Sequence, residues 1–167
     1  MRTKLGILLL AVAATAVVGL TTSSESKAFY GYRQYYSSWS YRPSYNYYYT
    51  RYYYKPTPTY STYSYHYCVY RPSQPRYVYY YNPHSRHYWG RFDCEGTPGA
   101  QYSLLKPEDR KEKLEEIPES SFPKPGPMPA VPDAADGTKS DGQTITPITN
   151  LPTEDATPDD LPAAPTP

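Results

Sequence analysis

The sequence predicts a mostly disordered, low-complexity chain carrying one small all-β module, a three-stranded antiparallel meander with one short helix after it. Three observations lead there. All 23 tyrosines of the 167 residues fall between Tyr30 and Tyr102, a density that ordinary globular composition does not reach. Within that block, only the second half breaks into strand-length runs separated by proline turns. After Tyr102 the chain turns to Pro, Asp, Thr and Ala, a composition that buries too little apolar surface to offset the entropy lost on ordering.

Residues 1–28 read as an export signal peptide. Arg2 and Lys4 precede an apolar run from Leu5 to Leu20, and Ser26-Lys27-Ala28 offers a small-x-small cleavage site. The apolar run is shorter than the roughly 20 residues a spanning helix needs, so removal is expected and no membrane span remains afterwards. An uncleaved N-terminal anchor is the alternative. On either reading the chain is secreted or held in the cell envelope.

Residues 29–59 read as a tyrosine-rich low-complexity arm. The triplets Tyr47-Tyr48-Tyr49 and Tyr52-Tyr53-Tyr54 are separated only by Thr50 and Arg51, so tyrosine occupies both faces at any period and no apolar face emerges.

Residues 60–102 read as the folded module. Its three runs are Tyr60 to Tyr70, Arg76 to Tyr81 and Arg86 to Cys94, rich in tyrosine and valine. Arg71-Pro72-Ser73-Gln74-Pro75 makes one turn by its prolines, and Asn82-Pro83-His84-Ser85 a second, supported by the asparagine side chain. The tetrapeptide Tyr41-Arg42-Pro43-Ser44 recurs as Tyr70-Arg71-Pro72-Ser73; a degenerate duplication and a chance product of biased composition are both open.

Residues 103–117 predict a short helix over Pro107 to Ile117. Proline suits its first turn, Glu108 and Asp109 favour its positive end, and Pro118 stops it. Residues 118–167 read as a Pro-rich, acidic, disordered tail.

Charge divides the same way. From Phe29 to Tyr102 eight cations face only Asp93 and Glu95, whereas from Ser103 onward six cations face thirteen acids. Such halves attract each other, within one chain or between neighbours.

Chemistry-bearing groups are few. Cys68 and Cys94 are the only cysteines of an exported chain and so are candidates for a disulfide. In the meander, however, the first and third strands lie about 10 Å apart, too far to bridge unless the sheet curls. An intramolecular bond, bonds between chains and free thiols all stay open. His66, Cys68, His84, His87 and Asp93 match no zinc spacing, so no metal or other cofactor is expected. Paired carboxylates, nucleophile elbows and phosphate loops are missing, which argues against an enzyme and names no catalytic residue.

What remains is tyrosine interleaved with arginine, suited to many weak stacking and cation–π contacts. Tyr77, Tyr79 and Tyr81 alternate onto one strand face, and with Trp89 on the next strand they form a candidate aromatic platform for sugar rings. Arg76, Arg86 and Arg91 would add attraction for anionic polymer. The same rings would equally serve as the core of so small a module. Tyrosines crowded outside the cell are also open to oxidative cross-linking. Nucleic acid is not expected as a partner of an exported chain.

The stretch from Arg76 to Asp93 (RYVYYYNPHSRHYWGRFD), followed by Pro118 to Pro129 (PESSFPKPGPMP), resembles uncharacterised tyrosine-rich secreted bacterial proteins. The resemblance covers residues 60–132 and implies export and a recurring small module, but brings no activity. Tyr80-Tyr81-Asn82 with Trp89 is also similar to the central hairpin of WW domains. The asparagine-to-tryptophan interval is a residue short and the upstream tryptophan of that family is absent, so proline-peptide binding is not carried over. The expected function is a non-enzymatic structural or adhesive role through Tyr/Arg contacts, by self-association or on cell-surface polysaccharide. The alternative is a small carbohydrate- or anionic-polymer-binding module.

Overall fold

The computed structural model of the protein describes residues 32–153. The expected signal peptide and residues 154–167 of the expected tail lie outside the described residues. Seven strands run in chain order: β1 (Gln34–Tyr36), β2 (Ser40–Arg42), β3 (Tyr47–Tyr54), β4 (Ser64–Tyr70), β5 (Tyr77–Asn82), β6 (His87–Asp93) and β7 (Tyr102–Leu104). They form one antiparallel sheet in the order β1-β3-β4-β5-β6-β7, and β2 pairs with the other half of β3 from the β1 side.

This architecture corrects the expected fold class. The three expected runs are not a free-standing meander; as β4, β5 and β6 they are the interior of a seven-stranded sheet. The expected low-complexity arm supplies β1, β2 and β3, of which β3 is the longest strand of all. In place of the expected helix, residues 107–116 make two isolated 3-10 turns, and no α-helix occurs among the described residues. An eleven-residue helix is marginal alone, and here extended chain brings Leu105, Leu114 and Ile117 onto the sheet instead.

The arm folds because tyrosine satisfies both sides of a strand at once. Along β3 burial alternates strictly, with Tyr48, Thr50, Tyr52 and Tyr54 turned inward and Tyr47, Tyr49, Arg51 and Tyr53 outward. Period-two alternation is therefore present, but it is written in one residue type that is apolar along the ring and polar at the tip.

Each sheet face is closed by chain from the C-terminal half. On the inner face, Val131, Ile145 and Ile148 pack with Tyr36, Tyr52, Tyr80 and Trp39. Each of those three aliphatic side chains is almost fully buried, worth about 1.5–3 kcal/mol apiece relative to exposure. On the outer face, Leu105, Leu114, Ile117 and Phe122 cover Val69, Tyr79 and Tyr88, leaving the β1–β3–β4 side open. The free edge of β7 is capped by paired backbone bonds between Tyr102 and Gly126 at 2.9 and 2.8 Å.

Most buried hydroxyls find partners, as burial in a low-dielectric interior favours; that of Tyr102 has none among the described residues. Tyr36 and Tyr80 share a hydrogen bond of 2.9 Å, and Tyr36 donates to the Thr146 carbonyl at 2.7 Å. Tyr52 donates to Gln34 Oε1 at 2.7 Å, Tyr54 meets His66 Nε2 at 3.0 Å, and Trp39 Nε1 donates to the Asn150 carbonyl at 2.5 Å. The last three thus tie inner-face rings to strand or tail. The two Tyr-Arg-Pro-Ser copies play one role, each closing a hairpin: β2 to β3 through a 3-10 turn ended by Asn46 at φ 47°, and β4 to β5. At the β5–β6 turn, Asn82 Oδ1 accepts from the backbone of His84 and Ser85 at 2.9 and 3.2 Å.

Candidate binding surface

Tyr77, Tyr79 and Tyr81 do lie on one face of β5, where their partners are Asp93, Arg91 and Tyr88. That face is largely roofed. Tyr79 is only 2% exposed, against Tyr88 and Phe122, while Tyr77 and Tyr81 are half-buried. Trp89 is not part of the platform. The register passes from Tyr80–Gly90 to Tyr81–Tyr88, so Trp89 is the extra residue of a β-bulge. It points inward against His66, Tyr80 and Tyr102.

The three arginines expected to attract anions already hold carboxylates. Arg76 makes a two-pronged bond to Asp93 at 2.9 and 2.7 Å, and this holds the Asp93 carboxyl below its usual range. Arg86 pairs with Glu112, its Nε donating at 3.1 Å. Arg91 is buried between the Tyr77 and Phe122 rings, 3.9 and 4.0 Å from their centroids, and grips both oxygens of Glu119, Nη1 donating at 2.7 Å. Pairs this exposed on one side add little stability; their importance is that they neutralise charge.

Cys68 and Cys94 are free thiols, so the candidate bond within the chain is not found. Cys68 stands opposite Tyr80 on β5, whereas Cys94 bonds through its backbone to Arg76 at the other end of that strand. The separation is two strand spacings across, about 10 Å, and about four residues along, far beyond bridging distance. Burial raises both thiols, Cys94 to about 11, which leaves them protonated and unreactive near neutrality. His66 is buried against Tyr54 and Trp89, and burial lowers its pKa to about 3. Among the described residues no cluster of three metal-ligating side chains occurs.

The surface left open lies on β3, part of the expected repetitive arm, and on β4, within the first run of the expected module. Tyrosine rings there form an unbroken ladder. From Tyr63 it runs to Tyr35 at 5.3 Å between centroids, to Tyr53 at 4.8 Å, to Tyr65 at 5.8 Å and to Tyr67 at 5.6 Å. It continues through Tyr49 at 5.7 Å and Tyr47 at 6.3 Å, and ends at Tyr45 at 6.1 Å. Tyr45, Tyr47, Tyr49 and Tyr67 of the ladder border an open groove of about 540 Å³, which Arg42, Arg51, Glu112 and Lys113 also line.

Three cations sit on this ladder and differ from the rest. Arg42 lies 5.7 Å from the Tyr49 centroid, Arg51 5.8 and 5.7 Å from those of Tyr65 and Tyr67, and Lys55 4.6 Å from that of Tyr63. Arg33, Arg71, Arg76, Arg86 and Arg91 each pair with a carboxylate, four of them from the acidic C-terminal half, whereas Arg42, Arg51 and Lys55 have none among the described residues. Five of the eight cations of the tyrosine-rich half are thus matched within the chain, and the three that half has left over lie on one aromatic face. Position within the alternation was the available signal: Arg51 follows Thr50 in a run otherwise made of tyrosine, so one of the two had to face outward.

No family model, curated protein or solved structure matches this chain.

Proposed function

We propose that the protein is an exported, non-enzymatic structural or adhesive component of the cell envelope or extracellular matrix, and that it adheres by holding anionic polymer, foremost acidic polysaccharide, on the outer face of β3 and β4. The observation that carries this reading is the pairing pattern: Arg33, Arg71, Arg76, Arg86 and Arg91 are each neutralised by a carboxylate, while Arg42, Arg51 and Lys55 stand over tyrosine rings with none among the described residues. A ring face offers stacking to a sugar, and the adjacent guanidinium offers charge-assisted bonds to its carboxylate or sulfate. Export rests on the N-terminal pattern of cations, apolar run and small residues.

The test is retention of purified protein on immobilised polyuronate and on neutral dextran across a salt series. Binding to the polyuronate that weakens as salt screens the charges supports the reading. Equal retention on dextran overturns the charge argument. Concentration-dependent assembly in the absence of polymer, with no polyuronate binding, replaces it with adhesion by self-association.

A further inference from the structure

We propose that the outer-face tyrosine ladder is a relay for one-electron oxidation, and that it delivers the oxidising equivalent to Tyr45, where two molecules become joined by a carbon–carbon bond between their rings. The inference is independent of polymer binding.

Continuity is the first support. Every consecutive pair from Tyr63 to Tyr45 has centroids 4.8 to 6.3 Å apart, the range of direct aromatic contact. An electron vacancy created on any of these rings therefore has a neighbouring phenol to draw from. The face borders solvent, so each phenolic proton leaves to water as its electron leaves and is regained when the ring is re-reduced.

Charge gives the relay a direction. A cation over a ring opposes removal of an electron from it, and cations lie over Tyr63, Tyr65, Tyr67 and Tyr49. Arg51 also interacts with Tyr53, so the vacancy is least disfavoured on Tyr45 with Tyr47, for which no such cation occurs among the described contacts. Tyr35 and Tyr53 are stacked at 16° and partly buried, face to face, which keeps their ring-edge carbons apart. Tyr45 is 70% exposed on the turn before β3, where the ring of a second molecule can reach it.

The chemistry balances with hydrogen peroxide as oxidant, used by a haem peroxidase. Each of two tyrosines gives up one electron and one proton, and the peroxide takes both pairs to become two waters. The two phenoxyl radicals couple at the carbons ortho to oxygen, forming one C–C bond. The hydrogens on those carbons then shift to the oxygens and restore two phenols, giving dityrosine.

Two arms test it on the full chain, read by dityrosine fluorescence, denaturing electrophoresis and mass-spectrometric mapping. With a haem peroxidase and hydrogen peroxide, we expect a covalent dimer whose cross-link maps to Tyr45, and its loss to the no-peroxide background in Tyr45→Phe. Cross-links placed mainly at Tyr32 or Tyr63, or no dimer, overturn the proposal. In the second arm a ruthenium photo-oxidant is tethered at Thr62→Cys in a Cys94→Ser background, beside the far end of the ladder. Illumination is expected still to give the Tyr45 cross-link. Tyr49→Phe and, separately, Tyr67→Phe, which keep the ring but not the oxidisable phenol, are expected to abolish it with the circular dichroism unchanged. A Tyr45 cross-link that survives both cuts means the ring is attacked through solvent, and the relay is wrong.

Discussion

The Tyr102 ring fills the space that any side chain at Gly90 would need. A Cβ placed on Gly90 would lie 2.6 Å from Tyr102 Cζ and 2.7 Å from the Ser103 carbonyl oxygen. The glycine is what lets β6 and β7 close with a tyrosine folded over their junction.

Gly90→Ala is therefore expected to destabilise the protein by about 1–3 kcal/mol through overpacking. Urea denaturation measures it. The Tyr102 hydroxyl is buried without a hydrogen-bond partner among the described residues, so Tyr102→Phe is expected to cost nothing and to recover part of the loss in the double variant. Additive effects would show that the two sites do not compete for one space.

Tyr36→Phe removes two bonds at once, to Tyr80 and to the Thr146 carbonyl. It leaves a buried Tyr80 hydroxyl without that partner, a loss of about 1–3 kcal/mol. Amide exchange should quicken in residues 143–148 more than in β5. Unchanged protection there would show that the segment is held by Val131, Ile145 and Ile148 alone.

The pH dependence of stability should carry the mark of His66. Its folded pKa, lowered by burial to about 3, lies below its ordinary 6.5, so the unfolded chain binds the proton first. The stability it confers is complete above pH 6.5 and is lost as pH falls towards 3, at about 1.4 kcal/mol per pH unit. His87 is lowered too, by burial first and by Arg110 second. The comparison is consequently between the wild type and His66→Phe, measured by urea titration at pH 7 and pH 5. A variant with the same pH slope as the wild type would rule out His66 as the source.

Arg51→Gln and Arg42→Gln are each expected to weaken polyuronate binding by about 1 kcal/mol, roughly fivefold, and to flatten its salt dependence. Lys139→Gln, which removes an exposed cation matched by Asp133 away from the groove, is expected to leave binding unchanged. The salt series on all three variants checks this. Equal loss in all three would mean that net charge matters and position does not.

What could be read from the sequence follows from how each segment encodes its partners. The β4, β5 and β6 runs were legible because prolines and Asn82 punctuate them and because their contacts are with each other. β3 was not, because Tyr47 to Tyr54 hides its alternation in a single residue type, and only the three-dimensional partners, such as Gln34 for Tyr52 and His66 for Tyr54, distinguish one face from the other. The inner cover was illegible for another reason. Val131, Ile145 and Ile148 are isolated in Pro- and Thr-rich chain, so no periodicity announces them, yet each seats on a sheet built earlier in the chain. For the binding surface, the shared face of Tyr77, Tyr79 and Tyr81 was inferred soundly from alternation, but nothing local signals the roof over Tyr79 or the bulge that inverts Trp89.

The bond from Tyr36 to the Thr146 carbonyl spans 110 positions of chain, and among the described residues the inner face is covered by the segment that carries Val131, Ile145 and Ile148. A nascent chain therefore cannot finish its core until residue 148 is available, however early its strands begin to pair. Closure of this core waits on the segment from Val131 to Ile148. Until then the chain presents a bare tyrosine sheet, which makes the interval before closure the moment of greatest exposure to aggregation and to holding chaperones.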